Sequence, residues 1–294
     1  MATLTSHDAD HHHPAHTFQA QHVALSYEGR QVVADLSLDI PAHQVGIIIG
    51  PNGCCKSTLL KALARLIKPD KGSILLDGKP LGDMPTREVA TKVGLLPQSP
   101  IAPAGITIAD LVTRGRYPYH GFAGGWNADD EEAVAHALAV TGLADLAERP
   151  IDSVSGGQRQ RAWIALALAQ ETDILLLDEP TTYLDIAYQV EVLDLLSYLN
   201  AEEGVTVVMV LHDLNLAARY ADWMVAMKHG KIRAQGTPQE VLTESLLHNV
   251  FGLDATIAAE PGTELPMVVP DKSHSLRAQR DRRLFRPAGL VDGC

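Results

Sequence analysis

The chain has 294 residues and a formal net charge of −12, and 46% of its residues are hydrophobic. It is long enough to bury a full core, as one large domain or one domain with a subdomain. The acidic charge argues against nucleic-acid binding, and the longest apolar runs, such as residues 205–211, are too short to span a bilayer. With no secretory signal pattern and only three cysteines, we expect a soluble, cytosolic protein.

The two ends of the chain differ in composition from the body. Residues 1–17 contain His7, His11, His12, His13 and His16, with Asp8 and Asp10 among them. This composition would permit a transition-metal site, but a terminus without apolar anchors is usually solvated, and we predict a disordered tail over residues 1–17. Residues 254–294 are predicted to form a C-terminal extension that ends in a basic, solvated tail.

From residue 18 onwards, strand patterns and helix patterns alternate. Continuous apolar runs predict buried, largely parallel strands at residues 45–49, 174–177, 205–211 and 225–227. Helical periodicity predicts helices at residues 58–66, 108–113, 131–140, 158–170, 186–199 and 214–220. This alternation favours an α/β domain over residues 18–253, with helices on both faces of its sheet. The part from about 97 to 160 lacks strand-like runs and is predicted to be an inserted helical subdomain.

The residues after the first predicted strand match the pattern of a phosphate-binding loop at all but one position. The pattern G-x-x-x-x-G-K-[ST] requires a strand before it and a helix after it, and both are predicted here. Backbone N–H groups would cradle phosphates, with Lys56 reaching the outer ones and Ser57 ligating Mg²⁺. The loop comprises Gly50, Pro51, Asn52, Gly53, Cys54, Cys55, Lys56, Ser57 and Thr58.

Cys55 stands where the pattern has its second glycine. A residue with a Cβ held at positive φ costs about 1–2 kcal/mol. Each well-aimed hydrogen bond to phosphate that is lost would cost about 1.5–3 kcal/mol. We therefore expect Cys55 to weaken nucleotide binding. It is also conceivable that a small shift of the loop tolerates the cysteine, or that the cysteine is an introduced change.

Two further segments carry residues suited to nucleotide chemistry. A predicted strand ends in Asp178, which could hold Mg²⁺, and Glu179, which could polarise a water attacking a γ-phosphate. The segment Ser155, Gly156, Gly157 and Gln158 stands at a predicted helix start, where glycines let backbone N–H groups approach an anion. Taken singly, a turn and a capped helix explain these segments equally well.

Together, the three segments resemble the ATP-binding cassette (ABC) ATPases, a class of phosphate-loop NTPases, over roughly residues 18–270. The resemblance implies that Tyr27 stacks on adenine, that Gln98 senses Mg²⁺ and nucleotide, that Asp185 faces a partner cassette, and that His212 contacts the γ-phosphate. The implied catalytic residues are Lys56, Gln98, Glu179 and His212. The implied metal ligands are Ser57, Gln98 and Asp178, and ATP would be bound by Tyr27, Asp185, residues 50–58 and residues 155–158.

The resemblance also implies that one copy of the chain is not sufficient for activity. Cassettes pair head-to-tail, so that each ATP lies between the loop of one copy and the Ser155–Gln158 signature of the other. Since this chain holds one cassette, we expect a homodimer. Closure of the dimer on ATP would move the helical subdomain and drive a membrane partner.

A narrower similarity concerns the transported cargo. Residues 114–118, 130–134, 158–165, 178–186 and 261–270 are similar to the cassettes of bacterial iron–siderophore importers. This implies an ATPase at the cytoplasmic face of the membrane, peripherally bound to permease subunits and served indirectly by a substrate-binding protein. Cobalamin and haem importers use related cassettes, so cobalamin and haem are alternative cargoes. A soluble ABC ATPase outside transport, or a cassette that Cys55 prevents from binding nucleotide, would also fit the sequence.

Overall fold

The computed structural model describes residues 13–120 and 125–271. Residues 1–12 of the predicted tail, and the basic residues after 271, lie outside these ranges. Nowhere in the two ranges is there a helix with the length and apolar character needed to cross a membrane.

The strands and helices follow one another in a largely alternating order. The strands are β1 Phe18–Tyr27, β2 Arg30–Ile40, β3 Val45–Ile49, β4 Lys71–Leu76, β5 Lys79–Pro80, β6 Val93–Leu96, β7 Ile174–Asp178, β8 Thr206–Val210, β9 Trp223–Lys228, β10 Lys231–Gly236, β11 Ala255–Ala259 and β12 Pro266–Pro270. The helices are α1 Lys56–Leu63, α2 Thr86–Ala90, α3 Ile108–Thr113, α4 Ala128–Val140, α5 Gly156–Ala169, α6 Ile186–Glu203, α7 Leu214–Tyr220, α8 Pro238–Val241 and α9 Glu244–Leu246.

A six-stranded sheet forms the centre of the molecule, in the order β10-β9-β3-β8-β7-β6. Strands β9, β3, β8, β7 and β6 are parallel, and β10 pairs antiparallel with β9 at one edge. The four strands predicted from apolar runs are β3, β7, β8 and β9, and of these β3, β7 and β8 are buried along their whole length. Because parallel strands end at the same edge, the segments that follow β3, β6, β7 and β8 lie side by side.

One face of this sheet is covered by helices, as predicted. Side chains such as Ile47, Leu175 and Met209 pack there against α3, α4, α5, α6 and α7 in one hydrophobic cluster. Helices α3 and α4 lie in the part predicted to be a helical subdomain, α5 begins in it, and α3 and α7 have the predicted bounds. Helices α4 and α5 begin three and two residues earlier than predicted, because Asn127 and Ser155 each form a capping box at the helix start.

The other face differs from the expectation of a second helical layer. It is covered by α1 and by a four-stranded antiparallel sheet in the order β2-β1-β4-β5. Sequence periodicity missed this layer because register shifts between Ala20 and Val23, and again before Leu25, interrupt the alternation of β1. Strand β2 does alternate at its end, where Leu36, Leu38 and Ile40 are buried.

The segment just before β1 is anchored at the amino ends of the parallel strands. The Nδ1 atom of His13 lies 2.8 Å from Oδ1 of Asp173, and Nε2 of His16 lies 2.8 Å from Oδ2 of the same residue. The Nδ1 atom of His16 lies 2.7 Å from Oδ2 of Asp77. In contrast to the predicted disorder up to residue 17, these last residues of the histidine-rich segment have side-chain partners.

The predicted C-terminal extension contains an antiparallel hairpin of β11 and β12. It docks on α7, where Val268 N–H donates to Oδ1 of Asn215 at 2.7 Å and Nδ2 of Asn215 donates to the Val268 carbonyl oxygen at 3.3 Å. Arg219 of α7 also donates to Oε1 of Glu260, in the turn of the hairpin, at 3.5 Å. The hairpin is therefore tied to the helix that follows His212.

Candidate functional site

The glycine-rich loop joins the carboxyl end of β3 to α1 and turns back on itself. A Cβ on Gly50 (φ 153°) would lie 2.3 Å from the Met227 carbonyl oxygen, so only glycine fits there. Gly53 (φ 74°) borders open space instead. The first N–H groups of α1, which follows the loop directly, have no intrahelical acceptor. The loop therefore offers backbone donors around an open cradle suited to an anion.

Lys56 is buried at the start of α1, with 5% of its surface exposed. Its ammonium group donates to the carbonyl oxygens of Gly50, at 2.8 Å, and of Pro51, at 3.3 Å. Among the described residues, no carboxylate forms an ion pair with this buried ammonium, although the charge of Lys56 lowers the pKa of both Asp178 and Glu179. An anionic phosphate would supply a direct counter-ion.

Cys55 forms the N-cap of α1 in the left-handed conformation, with φ 80° and ψ 22°. The expected positive φ at this position is thus present. Its thiol donates to the Val32 carbonyl oxygen of β2 at 3.4 Å. Burial raises the pKa of this thiol, and the pKa of the neighbouring Cys54 as well, so both cysteines are protonated at neutral pH.

Ser57 and Asp178 meet across the loop and the end of β7. The Ser57 hydroxyl donates to Oδ1 of Asp178 at 2.8 Å. Burial raises the pKa of the Asp178 carboxyl; the bond from Ser57 lowers it and the charge of Glu179 raises it again. A buried carboxylate beside a second carboxylate and a hydroxyl is an oxygen set that fits a hard divalent cation such as Mg²⁺.

Glu179 is held by three side chains that come from three segments. Its Oε2 atom accepts from Nε2 of Gln98 at 2.6 Å and from the Thr182 hydroxyl at 3.0 Å. Its Oε1 atom lies 2.6 Å from Nε2 of His212. Burial alone would raise the pKa of Glu179, but the hydrogen bond and charge of His212, with the bond from Thr182, offset this and lower the pKa.

Tyr27 ends β1 with 45% of its surface exposed. The ammonium nitrogen of Lys61, on α1, lies 5.8 Å from the centroid of the tyrosine ring. An exposed aromatic ring on the side of α1 can accept a planar ligand by stacking.

The signature segment lies at the start of α5 and satisfies its own polar groups. Ser155 Oγ accepts from Gln158 N–H at 3.2 Å, and Gln158 Oε1 accepts from Ser155 N–H at 3.0 Å. Gly156 is exposed, whereas a Cβ on Gly157 would lie 2.8 Å from the ring of Tyr188. Asp185 caps α6 by accepting from Tyr188 N–H at 3.2 Å.

The structure thus divides the predicted site residues into two groups. Lys56, Ser57, Gln98, Asp178, Glu179 and His212 gather at the carboxyl edge of the parallel sheet, and the loop ends there too. Within residues 13–120 and 125–271, no hydrogen bond or ion pair joins this group to Ser155–Gln158 or to Asp185. Gln98 reaches Glu179 and not the Ser57–Asp178 pair. Sequence reasoning missed Thr182, although its place three residues after Glu179 is a spacing at which a hydroxyl can bond back within a turn.

A strand, a glycine-rich loop and a helix, followed along the sheet edge by an Asp-Glu pair, define the phosphate-loop nucleotide triphosphatases. The family model for the ABC transporter matches residues 33–182. The chain belongs to this family, and it is an ATP-binding ATPase of the ABC class.

Two curated relatives match over nearly their whole length. The petrobactin import ATP-binding protein FpuD of Bacillus anthracis is 51% identical, over 86% of this chain and 92% of its own length. The ferric enterobactin transport ATP-binding protein FepC of Escherichia coli is 48% identical, over 86% of this chain and 93% of its own length. A bacterial ABC transporter cassette solved as a dimer superposes with a TM-score of 0.66 at 28% identity, covering 75% of this chain and 98% of the cassette.

Proposed function

We propose that the cluster at the sheet edge binds Mg-ATP and cleaves its γ-phosphoryl bond. The loop amides and Lys56 would hold the phosphates, and Tyr27 would stack on the adenine. Ser57 and Asp178 would hold Mg²⁺, with Gln98 moving from Glu179 to join them. When bound there, Mg²⁺ would neutralise charge on the phosphate oxygens.

Glu179 is the proposed general base for the attacking water. Its lowered pKa keeps the carboxyl ionised at neutral pH, so that it can accept a proton. In the present arrangement both of its oxygen atoms are engaged by donors, because His212 occupies Oε1 while Gln98 and Thr182 occupy Oε2. His212 would turn from Glu179 to the γ-phosphate, which frees Oε1 to face the water.

The second half of each catalytic site would come from another copy of this chain. The signature residues Ser155–Gln158 are exposed or half-buried except for Gly157, and they share no bond with the loop cluster of their own chain within the described ranges. The dimeric cassette of similar fold supports pairing of this kind. Asp185 and the exposed side chains of Tyr183 and Ile186 would lie in that interface.

The proposed cargo is a ferric siderophore, carried by a permease to which this chain binds at the cytoplasmic face of the membrane. A substrate-binding protein outside would deliver the cargo. The observation that carries this proposal is the identity of about half of all aligned residues with two ATP-binding proteins named for petrobactin and enterobactin import.

Iron uptake tests this proposal directly. Cells that lack the gene for this chain would receive the full chain or its Glu179→Gln variant, and uptake of labelled iron from several siderophores would be compared with uptake of haem and cobalamin. We expect siderophore uptake to return only with the unchanged chain. Uptake of haem or cobalamin alone would identify that compound, and not a siderophore, as the cargo. ATPase activity with no uptake of any of them would indicate a role outside transport.

A further inference from the structure

Thr182 differs from Gln98 and His212, the other two donors to Glu179, because it lies in the same turn as Glu179. Its hydroxyl donates to Oε2 of Glu179 at 3.0 Å, and its backbone N–H donates to the Glu179 carbonyl oxygen at 3.2 Å. Both bonds lie within one turn of four residues, in which Glu179 has the left-handed φ of 54°. The turn therefore holds the backbone and the carboxylate of Glu179 together.

Gln98 and His212, in contrast, reach Glu179 from separate segments. Gln98 is exposed on the segment after β6, and the side chain of His212, after β8, is 44% exposed. Each can leave Glu179 by a side-chain rotation, and the proposed function requires both to do so. When they leave, the Thr182 hydroxyl stays with the carboxylate, because it belongs to the same turn.

The two oxygen atoms of Glu179 are then no longer equivalent. Thr182 bonds to Oε2 only, which leaves Oε1 as the oxygen without a donor from the same turn. A general base needs one lone pair aimed at the water, and misorientation of that lone pair lowers the rate without changing substrate binding.

We propose that Thr182 is a positioning residue for ATP hydrolysis: it fixes Oε2 of Glu179 and thereby presents Oε1 to the attacking water. The proposal rests on the role of Glu179 as general base. Thr182 contacts neither the phosphate loop nor the Ser57–Asp178 pair through any hydrogen bond between described residues, so its effect is confined to the chemical step.

The test compares the full chain with Thr182→Val, which keeps the shape of the side chain but lacks the hydroxyl, and with Thr182→Ser, which keeps the hydroxyl. The matched control is Thr181→Val, since the hydroxyl of Thr181 has no hydrogen bond within the described residues. Steady-state ATP hydrolysis gives kcat and KM, and thermal unfolding with nucleotide binding checks the fold of each variant. Thr182→Ala serves as a second variant if Thr182→Val does not fold.

We expect kcat to fall about 10-fold or more in Thr182→Val, as for loss of a hydrogen bond to a charged group, with KM for ATP unchanged within about twofold. Thr182→Ser and Thr181→Val should stay close to the unchanged chain. A fall in kcat that Thr182→Ser does not rescue, or a change confined to KM, would overturn the proposal.

A second comparison separates this proposal from the role of Glu179. In a Glu179→Gln background, Thr182→Val should cause no further loss, because the two residues act as one unit. If Glu179→Gln keeps most of its activity, the general-base role itself is wrong. If Glu179→Gln is inactive while Thr182→Val is fully active, only the positioning role of Thr182 is wrong.

Discussion

The loop cluster (the glycine-rich loop with Lys56, Ser57, Gln98, Asp178, Glu179 and His212) and the signature segment Ser155–Gln158 belong to one chain. They differ in how far contacts within the chain already organise their side chains. In the loop cluster, Lys56 and Asp178 are buried, and Ser57, Asp178, Gln98, Glu179 and His212 bond to one another in pairs. In the signature segment, Ser155 and Gln158 bond to each other, Ser155 and Gly156 are exposed, and Gln158 is half-buried.

This difference follows from where the two regions lie. The loop cluster lies along the edge of a parallel sheet, where several strands end together and bring residues far apart in sequence into contact. The signature caps the single helix α5, so among the described residues the hydrogen-bond partners of its capping side chains are its own neighbours. One region is therefore organised before any ligand binds, and the other presents accessible surface to a second molecule.

The largest effect should follow from removing the proposed base in the loop cluster. Glu179→Gln is expected to lower kcat for ATP by about 100- to 10,000-fold, the usual contribution of a general base, while ATP still binds. The matched control is Glu202→Gln on the exposed side of α6, which should leave kcat unchanged. Steady-state kinetics with a direct binding titration checks both. Retention of activity in Glu179→Gln would assign the base role to another group.

A mixing experiment tests whether the signature acts on another copy. Lys56→Ala damages the loop and Ser155→Arg damages the signature, so each variant alone should be inactive. A mixed dimer contains one intact site, formed by the loop of the Ser155→Arg copy and the signature of the Lys56→Ala copy. We expect ATPase activity to reappear on mixing, as measured by phosphate release. Activity in Ser155→Arg alone would show that the signature is not needed, and the contrast between the two regions would have no functional meaning.

Cys55→Gly should raise both the thermal stability of the protein and its affinity for Mg-ATP. Glycine adopts φ 80° without the Cβ cost of about 1–2 kcal/mol, so the variant should unfold at a higher temperature and bind Mg-ATP about 10-fold or more tightly. Cys55→Ala is the matched control, because it removes the thiol but keeps the Cβ. Calorimetric titration of Mg-ATP into the unchanged chain and into each of the two variants measures the three affinities. Equal affinities in all three would mean that the loop tolerates the cysteine at no cost to binding.

The smallest effect concerns Asp173 at the opposite, amino edge of the sheet. Burial acts to raise the pKa of this carboxyl, but hydrogen bonds from His13 and His16 outweigh it and hold the pKa below its usual value. A depressed carboxyl pKa stabilises the fold at pH values above the unfolded pKa of about 3.9, and this stability is lost as the pH falls through the folded pKa. Asp173→Asn should therefore lower the free energy of unfolding at pH 7 by about 1 kcal/mol and lessen its loss in acid.

Chemical denaturation from about pH 7 down to about pH 3 measures that effect, since this range spans the unfolded pKa of a carboxyl. ATP hydrolysis at neutral pH should not change, because Asp173 lies away from the edge that carries the loop. Asp70→Asn changes an exposed carboxylate whose side chain has no hydrogen bond within the described residues, and it is the control for loss of one charge. A loss of ATPase activity in a fully folded Asp173→Asn protein would contradict the separation of the two edges.

Much of the fold was open to prediction because its signals are local. The strands β3, β7 and β8 are wholly buried, so their apolar runs are continuous and need no knowledge of partners. The glycine-rich loop and the SGGQ cap are contiguous, so their residue types and spacing are visible in the chain itself. The antiparallel layer was not predicted, since bulges in β1 break the alternation that marks a half-buried strand.

The sequence by itself determined the class of this protein, the loop, the Asp-Glu pair and the residue that departs from the pattern at Cys55. Only the tertiary structure decided which side chains from distant segments meet: Gln98 and His212 on Glu179, and His13 and His16 on Asp173. The physical reason is that hydrogen bonds between distant segments depend on strand order and register. A parallel sheet sets both of these through pairings that no short stretch of sequence contains.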